Sequence, residues 1–393
     1  MSDKKIPKLR FPGFTDDWEQ RKLGDICERI TRKNKNNESD LPLTIASQFG
    51  LIDQRDFFNK VVAAKDMSNY YLLKKGEFAY NKSYSNGYDY GSIKRLNAYE
   101  QGCLSTLYIC FGLTADDVDS DYLQCYFDTL QWYGDVSQIC AEGARNHGLL
   151  NVDTKAFFED VSVKLPVDID EQRKISVFLN NLDNLITHHQ RKCDAIRDYK
   201  KAMLQKMFPK EGSLVPEIRF PGFTGAWEQC KLGEFVDITT GKLDANAMKE
   251  DGEYDFYTSG IQKYKIDVAA FEGPAITIAG NGATVGYMHM ADGKFNAYQR
   301  TYVLSDFKAD RRFLFFEIGN RLPTKIRQEA RTGNIPYIVM DMLTDLVLAV
   351  PQNEEQEKIG AFMMQLDNLI TLHQRKCEAM KEFKKALLQQ MFV

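Results

Sequence analysis

LDNLITHHQRKC, at residues 182–193, occurs again almost unchanged as LDNLITLHQRKC at residues 366–377. Each stretch lies inside a longer copy. These copies read EQRKISVFLNNLDNLITHHQRKCDAIRDYKKAMLQKMF at 171–208 and EQEKIGAFMMQLDNLITLHQRKCEAMKEFKKALLQQMF at 355–392. A repeat of this length and similarity indicates that one structural element was duplicated within the chain.

A second pair of copies precedes the first. RFPGFTDDWEQRKLG at 10–24 returns as RFPGFTGAWEQCKLG at 219–233. The two pairs enclose two inserts, 25–168 and 234–352, which share almost no sequence that can be aligned. The chain is therefore organised as frame, insert, frame, insert, with a nearly identical frame around two different inserts.

Both long copies carry apolar residues at alternating spacings of three and four, which is typical of a coiled-coil seam. The predicted seam residues are Leu182, Ile186, His189, Cys193, Leu366, Ile370, His373 and Cys377. No Pro or Gly interrupts 171–208, so we expect a helix of about 38 residues and roughly 57 Å in each copy. Antiparallel pairing would relate the halves by a pseudo-twofold axis and place the inserts at opposite ends of a rod. The alternative is two separate amphipathic helices, each packed on its own domain.

The inserts predict an α+β fold. Each opens with a probable strand, WEQRK or WEQCK, and a short helix start at Leu-Gly-[Asp/Glu]. Further strands are predicted for GEFAYNKSY, LSTLYICF, YDFYTS, PAITIAG, ATVGYMHM and TYVLS. Helices are expected near Tyr122–Tyr133 and Arg311–Ile318, and both inserts end in an apolar strand followed by a proline.

Composition excludes several classes of protein. The 393 residues are 44% hydrophobic and 27% charged, which fits about two domains. No run of eighteen apolar residues occurs, and the start MSDKKIPKLR is polar, so we expect a cytoplasmic protein without membrane association. The eight cysteines form no CxxC pair and are expected to be reduced thiols. The net charge of −4 argues against a generally basic coat but permits local basic patches.

Polar loops between the predicted strands are rich in side chains that bind nucleic acids. Arg, Asn and Gln can contact base edges with two hydrogen bonds, while Lys and Ser usually hold phosphates. Any single one of these residues could equally be solvated surface, and the clusters carry more weight than their members. The candidate DNA contacts are Lys82, Ser83, Tyr84, Asn86, Lys94, Arg95, Arg145, Asn146 and His147 in the first insert, and Asn281, Tyr298, Gln299, Arg300, Arg327, Arg331, Thr332 and Asn334 in the second.

Catalytic signatures are largely missing from the sequence. There is no P-loop motif, and Gly280–Gly286 misses the dinucleotide pattern by one residue and opens no predicted helix. No Pro-Pro occurs, so the Asn-Pro-Pro-aromatic run of adenine methyltransferases is missing as well. Glu382-Phe383-Lys384 fits half of a nuclease pattern but lacks a partner Asp nearby. We therefore predict no catalytic residue.

The His and Cys residues of the predicted seam leave two interpretations open. His189/Cys193 and His373/Cys377 are both spaced four apart, so antiparallel pairing could bring four zinc ligands together. Alternatively, these residues simply pack in the seam, and the histidines specify its register as polar core residues do. We favour the register interpretation and predict no metal site.

The arrangement resembles the specificity subunit of type I DNA restriction–modification systems. The resemblance rests on two halves that each run from RFPGF and WEQ through LG, a variable insert and a proline to EQ-x-K-I, LDNLI and HQRKC, and it covers the whole chain. It implies that each insert is a target-recognition domain reading one half of a split DNA sequence. It also implies an antiparallel coiled coil that spaces these domains and docks the methyltransferase subunits.

The resemblance further implies a division of the chain and of the chemistry. We expect recognition domains at 1–168 and 210–352 and long spacer helices at 169–209 and 353–393. The expected partners are double-stranded DNA, two methyltransferase subunits and restriction/translocase subunits. S-adenosylmethionine and ATP with Mg²⁺ are expected on those subunits, with no cofactor in this chain. The alternatives are a single-chain methyltransferase or nuclease, and a protein–protein scaffold that binds no DNA.

Overall fold

A computed structural model describes most of the chain as two compact units. The first unit comprises Met1–His188 with Cys377–Val393, and the second comprises His189–Lys376. Backbone is described for residues 6–46, 50–58, 63–64, 66–146, 149–329 and 336–393. Side chains at 141–149 lie outside this description.

The first unit combines short strands with short helices, and one long helix begins in it. Its strands are β1 (Glu19–Lys22), β2 (Cys27–Arg29), β3 (Leu43–Ala46), β4 (Gly50–Asp53), β5 (Tyr71–Lys74), β6 (Phe78–Asn81), β7 (Ser92–Arg95), β8 (Gln101–Leu104), β9 (Ile109–Leu113), β10 (Cys140–Asn146), β11 (Leu149–Val152) and β12 (Ser162–Leu165). Its helices are α1 (Leu23–Ile26), α2 (Gln54–Phe58), α3 (Ser120–Asp128), α4 (Tyr133–Ile139), α5 (Thr154–Asp160) and the long α6 (Ile169–Met207).

The second unit has the same mixture of elements. Its strands are β13 (Glu228–Lys231), β14 (Asp237–Thr240), β15 (Tyr254–Tyr257), β16 (Lys263–Ile266), β17 (Phe271–Glu272), β18 (Ala275–Ala279), β19 (Met288–Ala291), β20 (Lys294–Ala297), β21 (Thr301–Ser305) and β22 (Val347–Val350). Its helices are α7 (Arg311–Glu329), α8 (Met340–Thr344) and the long α9 (Asn353–Met391), with 3-10 turns at Leu232–Glu234 and Ala245–Ala247. The α+β prediction is confirmed.

Both inserts are built on the same central sheet despite their unrelated sequences. The first unit orders its strands β2-β9-β6-β7, and the second orders them β14-β21-β18-β19. Every pairing in these sheets is antiparallel. A sheet of this kind needs an apolar pattern rather than particular letters, which explains why the shared topology leaves no alignable sequence.

The inserts differ beside this central sheet. The second unit adds a four-stranded sheet, β16-β15-β20-β17, in which β15 and β20 run parallel. The described part of the first unit has the separate pairs β3-β4 and β5-β8 in its place. The two inserts therefore share a common sheet with different additions.

The frame motifs hold each insert through one buried ion pair. Arg10 of the first RFPGF donates two hydrogen bonds to Glu171, at 2.6 and 2.8 Å, and the carboxylate is fully buried. Arg219 of the second copy contacts Glu355 at 2.6 and 2.7 Å in the same way. The hydrogen bond to its glutamate raises the pKa of each arginine. The Arg of RFPGF and the Glu of EQ-x-K-I are thus copied together because they bind each other.

The glutamine of the same EQ motif joins the long helix to the insert. Gln172 accepts a hydrogen bond from the backbone N–H of Asp119, which precedes α3, at 2.8 Å. Gln356 accepts from the N–H of Asp310, which precedes α7, at 3.0 Å. Both glutamines also donate to a proline carbonyl at 2.8 Å, that of Pro166 or Pro351. These contacts fix the start of each long helix against its own insert.

The long helices pair antiparallel within each unit. In the second unit, Lys200 of α6 donates to Asp367 of α9 at 2.5 Å. In the first unit, Lys384 donates to Asp183 at 2.8 Å. Each helix has 39 residues without a break, and partners early in one helix lie late in the other. The predicted antiparallel pairing is confirmed. No described helix has the length and apolar composition that a membrane crossing requires.

The ends of the long helices belong to the cores of the units. The first core includes Ile175 and Leu179 from α6 and Met391 from α9. The second includes Ile359 and Met363 from α9 and Met207 from α6. Apolar burial thus connects each helix end to the insert that it supports, so only the middle of the predicted seam is a contact of helix with helix alone.

Several predicted elements are divided by turns or extend further than expected. LSTLYICF was predicted as one strand, but β8 ends at Leu104 and β9 begins at Ile109. ATVGYMHM is likewise a turn before β19, because Gly286 has a φ of +82° that extended strands do not adopt. The helix predicted near Tyr122–Tyr133 is broken between α3 and α4, where Leu130 has a φ of +62°. In contrast, α7 continues to Glu329 in spite of Pro323.

Candidate nucleic-acid interface

In the first unit, the polar cluster after β6 lies beside the hairpin of β10 and β11. The backbone N–H of Leu150 donates to the carbonyl of Lys82 at 2.7 Å. Leu150 is paired with Arg145 across the hairpin. The fold thus brings together two sequence clusters that were predicted separately as DNA contacts.

Lys82 is partly buried, and its side chain has no ion-pair partner among the described residues. Burial, and then the positive charge of Arg29, lower the pKa of the Lys82 ammonium group, against the smaller opposite effect of the negative charge of Asp153. An incoming phosphate would relieve both effects, because it would neutralise the charge in a partly desolvated place.

The rest of this cluster forms a polar turn. Ser83 donates its backbone N–H to the side chain of Asn81 at 3.1 Å, and Ser85 is bridged to Tyr88. Asn86 lies exposed at the tip of this turn, and Tyr84 is 48% exposed. An exposed tyrosine beside polar residues presents both a ring face and a hydroxyl to a ligand.

Lys94 and Arg95 are engaged within the first unit instead. Lys94 contacts Asp128 at 2.6 Å, and the lysine side chain is only 15% exposed. Arg95 pairs with Asp121 and donates to the hydroxyl of Ser120 at 2.8 Å. Carboxylates of α3 neutralise both cations. Lys94 and Arg95 are therefore less available than Lys82 to bind a phosphate.

In the second unit, three polar segments meet at the end of β18. The N–H of Gly280 donates to the carbonyl of Arg300 at 2.8 Å, and the N–H of Ile338 donates to the carbonyl of Gly280 at 2.8 Å. Asn281 is bridged to Tyr337. The backbone position of Gly280 thus corresponds to that of Lys82 in the first unit. The predicted residues Asn281 and Arg300 lie together here.

The polar side chains beside the end of β18 differ in their exposure and in whether they already contact another side chain. Arg300 is exposed and has no ion-pair partner among the described side chains. Gln299 is exposed and donates to Asp244 at 3.3 Å. Tyr298 is partly buried in the turn between β20 and β21. Arg300 is therefore the residue of the predicted Tyr-Gln-Arg run best suited to bind a phosphate.

The remaining candidate residues of both inserts either lie on α7 or fall wholly or partly outside the described residues. Arg327 is exposed on α7, where it donates to Thr324 at 2.9 Å. Four predicted contacts lie outside the described residues: His147, Arg331, Thr332 and Asn334. The side chains of Arg145 and Asn146 also lie outside them. All six stay predictions.

The middle of the helix pair brings the two seam histidines into contact. Nδ1 of His189 and Nδ1 of His373 lie 2.8 Å apart, hydrogen-bonded to each other. The thiol of Cys193 points to the carbonyl of Ile370 at 3.8 Å. No group of three or more metal-ligating side chains occurs in the part of the chain that is described. One imidazole must donate and the other accept, as expected if the histidines specify the register of the helices. The register interpretation and the absence of a metal site stay predictions.

Sequence reasoning missed aromatic and hydroxyl groups that complete the second surface. Tyr287 is 39% exposed and Tyr337 is 45% exposed. Ser259 donates to the side chain of Asn281 at 2.6 Å. Isolated exposed aromatics between polar loops were a usable signal. The position of Ser259 gave no such signal, because its partner Asn281 lies 22 residues away in the chain.

Comparison with known proteins gives consistent matches along the chain. The family described as "Type I restriction modification DNA specificity domain" matches residues 15–197 and 225–382. The type I restriction enzyme EcoDI specificity subunit of Escherichia coli is 35% identical over 166 residues, covering 41% of this chain and 37% of that relative. The MjaVIII specificity subunit of Methanocaldococcus jannaschii is 25% identical over 277 residues, covering 61% and 63%. The matches thus span less than two thirds of either relative's length.

Two solved structures share the fold over nearly their whole lengths. A type I restriction–modification S subunit from M. genitalium superposes with a TM-score of 0.69 at 14% identity, covering 99% of both chains. A second structure concerns complex assembly and conformational transition of the type I R-M system. It superposes with a TM-score of 0.50 at 17% identity, covering 98% of this chain and 99% of that one. At these identities the likeness concerns the fold alone.

Proposed function

Since the chain belongs to the family of type I restriction modification DNA specificity domains, we propose that it is the subunit that selects the DNA sequence for such a system. Each insert reads one half of a bipartite target in double-stranded DNA. The long helices set the spacing of the two half-sites. The chain itself performs no bond-breaking step.

One observation carries this proposal. The same frame contact, Arg10–Glu171 and Arg219–Glu355, holds two inserts with different surfaces. The first insert presents Lys82 at the end of its central strand, whereas the second presents Asn281. A scaffold that bound one partner twice would need the same surface twice. Different surfaces in identical frames are what two readers of different half-sites need.

The duplicated frame also supports the proposed partners. Phe11 lies edge-on to Phe178 at 5.9 Å between ring centres, and Phe220 lies edge-on to Phe362 at 6.0 Å. Phe178 remains 37% exposed beside Val177, which is 59% exposed. Equivalent surfaces suit two copies of one partner. We therefore assign methyltransferase subunits to the frame, with restriction/translocase subunits joining the assembly, and the S-adenosylmethionine, ATP and Mg²⁺ to those subunits.

Replacement of one insert tests the proposal. Residues 234–350 are exchanged for the corresponding insert of another member of the family, and the DNA bound by the full chain is selected from a randomised duplex library. We expect one half of the selected sequence to change and the other half to stay the same. Binding should also weaken steeply with salt, because phosphate contacts release counterions.

Two results would contradict the proposal. If both halves of the selected sequence changed together, the inserts would not read independently. If neither chain bound duplex DNA in a salt-dependent manner, the scaffold without DNA binding would be the better description. A replacement of the same insert by its own sequence with silent codons serves as the matched control for expression and handling.

A further inference from the structure

The carboxamide of Asn281 is held at its oxygen end. The hydroxyl of Ser259 donates to Oδ1 of Asn281 at 2.6 Å. The hydroxyl of Thr284 donates to the carbonyl of Ser259, which keeps the serine in place. The backbone of Asn281 is bridged to Tyr337 on its other side. Both the position and the orientation of the side chain are therefore determined by the unit itself.

The nitrogen end of the same carboxamide is available to a ligand. Nδ2 of Asn281 makes no hydrogen bond to any described residue, and it is not among their buried polar atoms that lack a partner. Two N–H donors thus face outward, while one acceptor position of the oxygen is already occupied. Tyr337, whose backbone is bridged to Asn281, and Tyr287, whose N–H donates to the carbonyl of Thr284, are both exposed.

An amide in this state distinguishes between purines. Asn commonly reads adenine by donating to N7 and accepting from the N6 amino group, and Ser259 already occupies one of the two acceptor positions of the oxygen that this contact needs. Guanine offers two acceptors, N7 and O6, in the same groove. A carboxamide that leads with its free donors therefore favours guanine, whereas adenine would have to share the oxygen with Ser259.

We propose that Asn281 reads a guanine in the half-site of the second insert and that Ser259 is the positioning residue that imposes this choice. Arg300, exposed and without a partner carboxylate among the described residues, holds a phosphate of the same half-site. This inference rests on the proposed DNA-reading function and adds the base and the residue that selects it.

The test compares base preferences of the full chain and two variants on a randomised duplex library. Wild type is expected to enrich guanine at one position of the second half-site. Asn281→Asp keeps the contact with Ser259 but can only accept. It should therefore lose about 10- to 100-fold of the guanine preference and turn toward cytosine, whose N4 donates. Ser259→Ala frees the oxygen and should admit adenine at that position.

Asn368→Asp is the matched control, since it introduces the same charge at an exposed position of α9 and should leave every preference unchanged. If wild type selects a bipartite sequence and neither variant alters any position, the inference is overturned while the proposed function stands. The same holds if the altered position is not guanine in wild type. A chain that selects no sequence at all contradicts the proposed function first. Should Asn281→Asp fail to fold, the Ser259→Ala preference decides.

Discussion

The two units hold the same arginine–glutamate contact, at 2.6 Å in both, yet differ where their central strands end. In the first unit that end presents the cation Lys82, and in the second it presents the amide Asn281. Arg10 and Glu171, and likewise Arg219 and Glu355, recur in both frames because each residue of the pair contacts the other. The inserts are copied only in topology, because a buried strand tolerates many apolar sequences.

The same comparison explains why the stretch at 182–193 is repeated almost unchanged at 366–377. Asp183 and Asp367 each bind a lysine of the opposite helix, and Cys193 and Cys377 each face a carbonyl of that helix. A change in one copy would disturb a contact made by the other copy. Reciprocal pairing therefore holds both copies close to one sequence.

The largest expected effect tests whether the two frames are equivalent in energy. Glu171→Ala and Glu355→Ala each leave a largely buried arginine without its carboxylate, which typically costs about 3–5 kcal/mol. We expect similar losses in both variants, measured by denaturant unfolding of the full chain. Glu159→Ala is the control, because Glu159 and Lys155 form an exposed pair that should contribute less than about 1 kcal/mol. A loss confined to one variant would show that the frames are not equivalent.

A smaller effect on DNA binding should separate cations that form no ion pair among the described residues from cations that do. Lys82→Ala and Arg300→Ala should each weaken DNA binding and reduce the slope of log affinity against log salt by about 1. Lys94→Ala and Arg95→Ala remove cations that are paired with carboxylates, so they should leave that slope unchanged. Binding titrations over a range of salt concentrations measure it. A reduced slope in all four variants would mean that the internal pairs open to reach DNA.

The smallest effect concerns pH and should appear in the second unit only. Burial lowers the pKa of His289, and Lys263 lowers it further, against the opposite effects of the hydrogen bond to the Gly260 carbonyl and of Asp255. The folded state therefore binds fewer protons than the unfolded state, and stability is lost as pH falls below the ordinary value of 6.5. His289→Gln should remove part of the difference between thermal unfolding at about pH 7.5 and about pH 5.5. His188→Gln, at an exposed position, should not. An undiminished difference in His289→Gln would assign the pH dependence to other groups.

Secondary structure was predictable where a pattern was long. The continuous stripe of α6 and α9 determined both helices to within a few residues. Shorter runs were less informative, as LSTLYICF shows, because a turn at residues 105–108 divides it without any Pro or Gly. The length of α7 was missed as well, because its continuation beyond Ile318 and through Pro323 depends on the buried face of Phe316, Leu322 and Ile326.

By itself, the sequence determined the duplicated frame, the two long helices and the α+β class of both inserts, because these follow from repeats and from local periodicity. It favoured antiparallel pairing of the helices but left separate packing open. Only the tertiary structure decided which polar residues remain available to a ligand. Lys82 and Lys94 look alike in the sequence, but a carboxylate 34 residues away neutralises the second one. Likewise, the hydroxyl of Ser259 holds the amide of Asn281, 22 residues away in the chain. Such contacts join residues distant in the chain, and their geometry exists only once the sheets have formed.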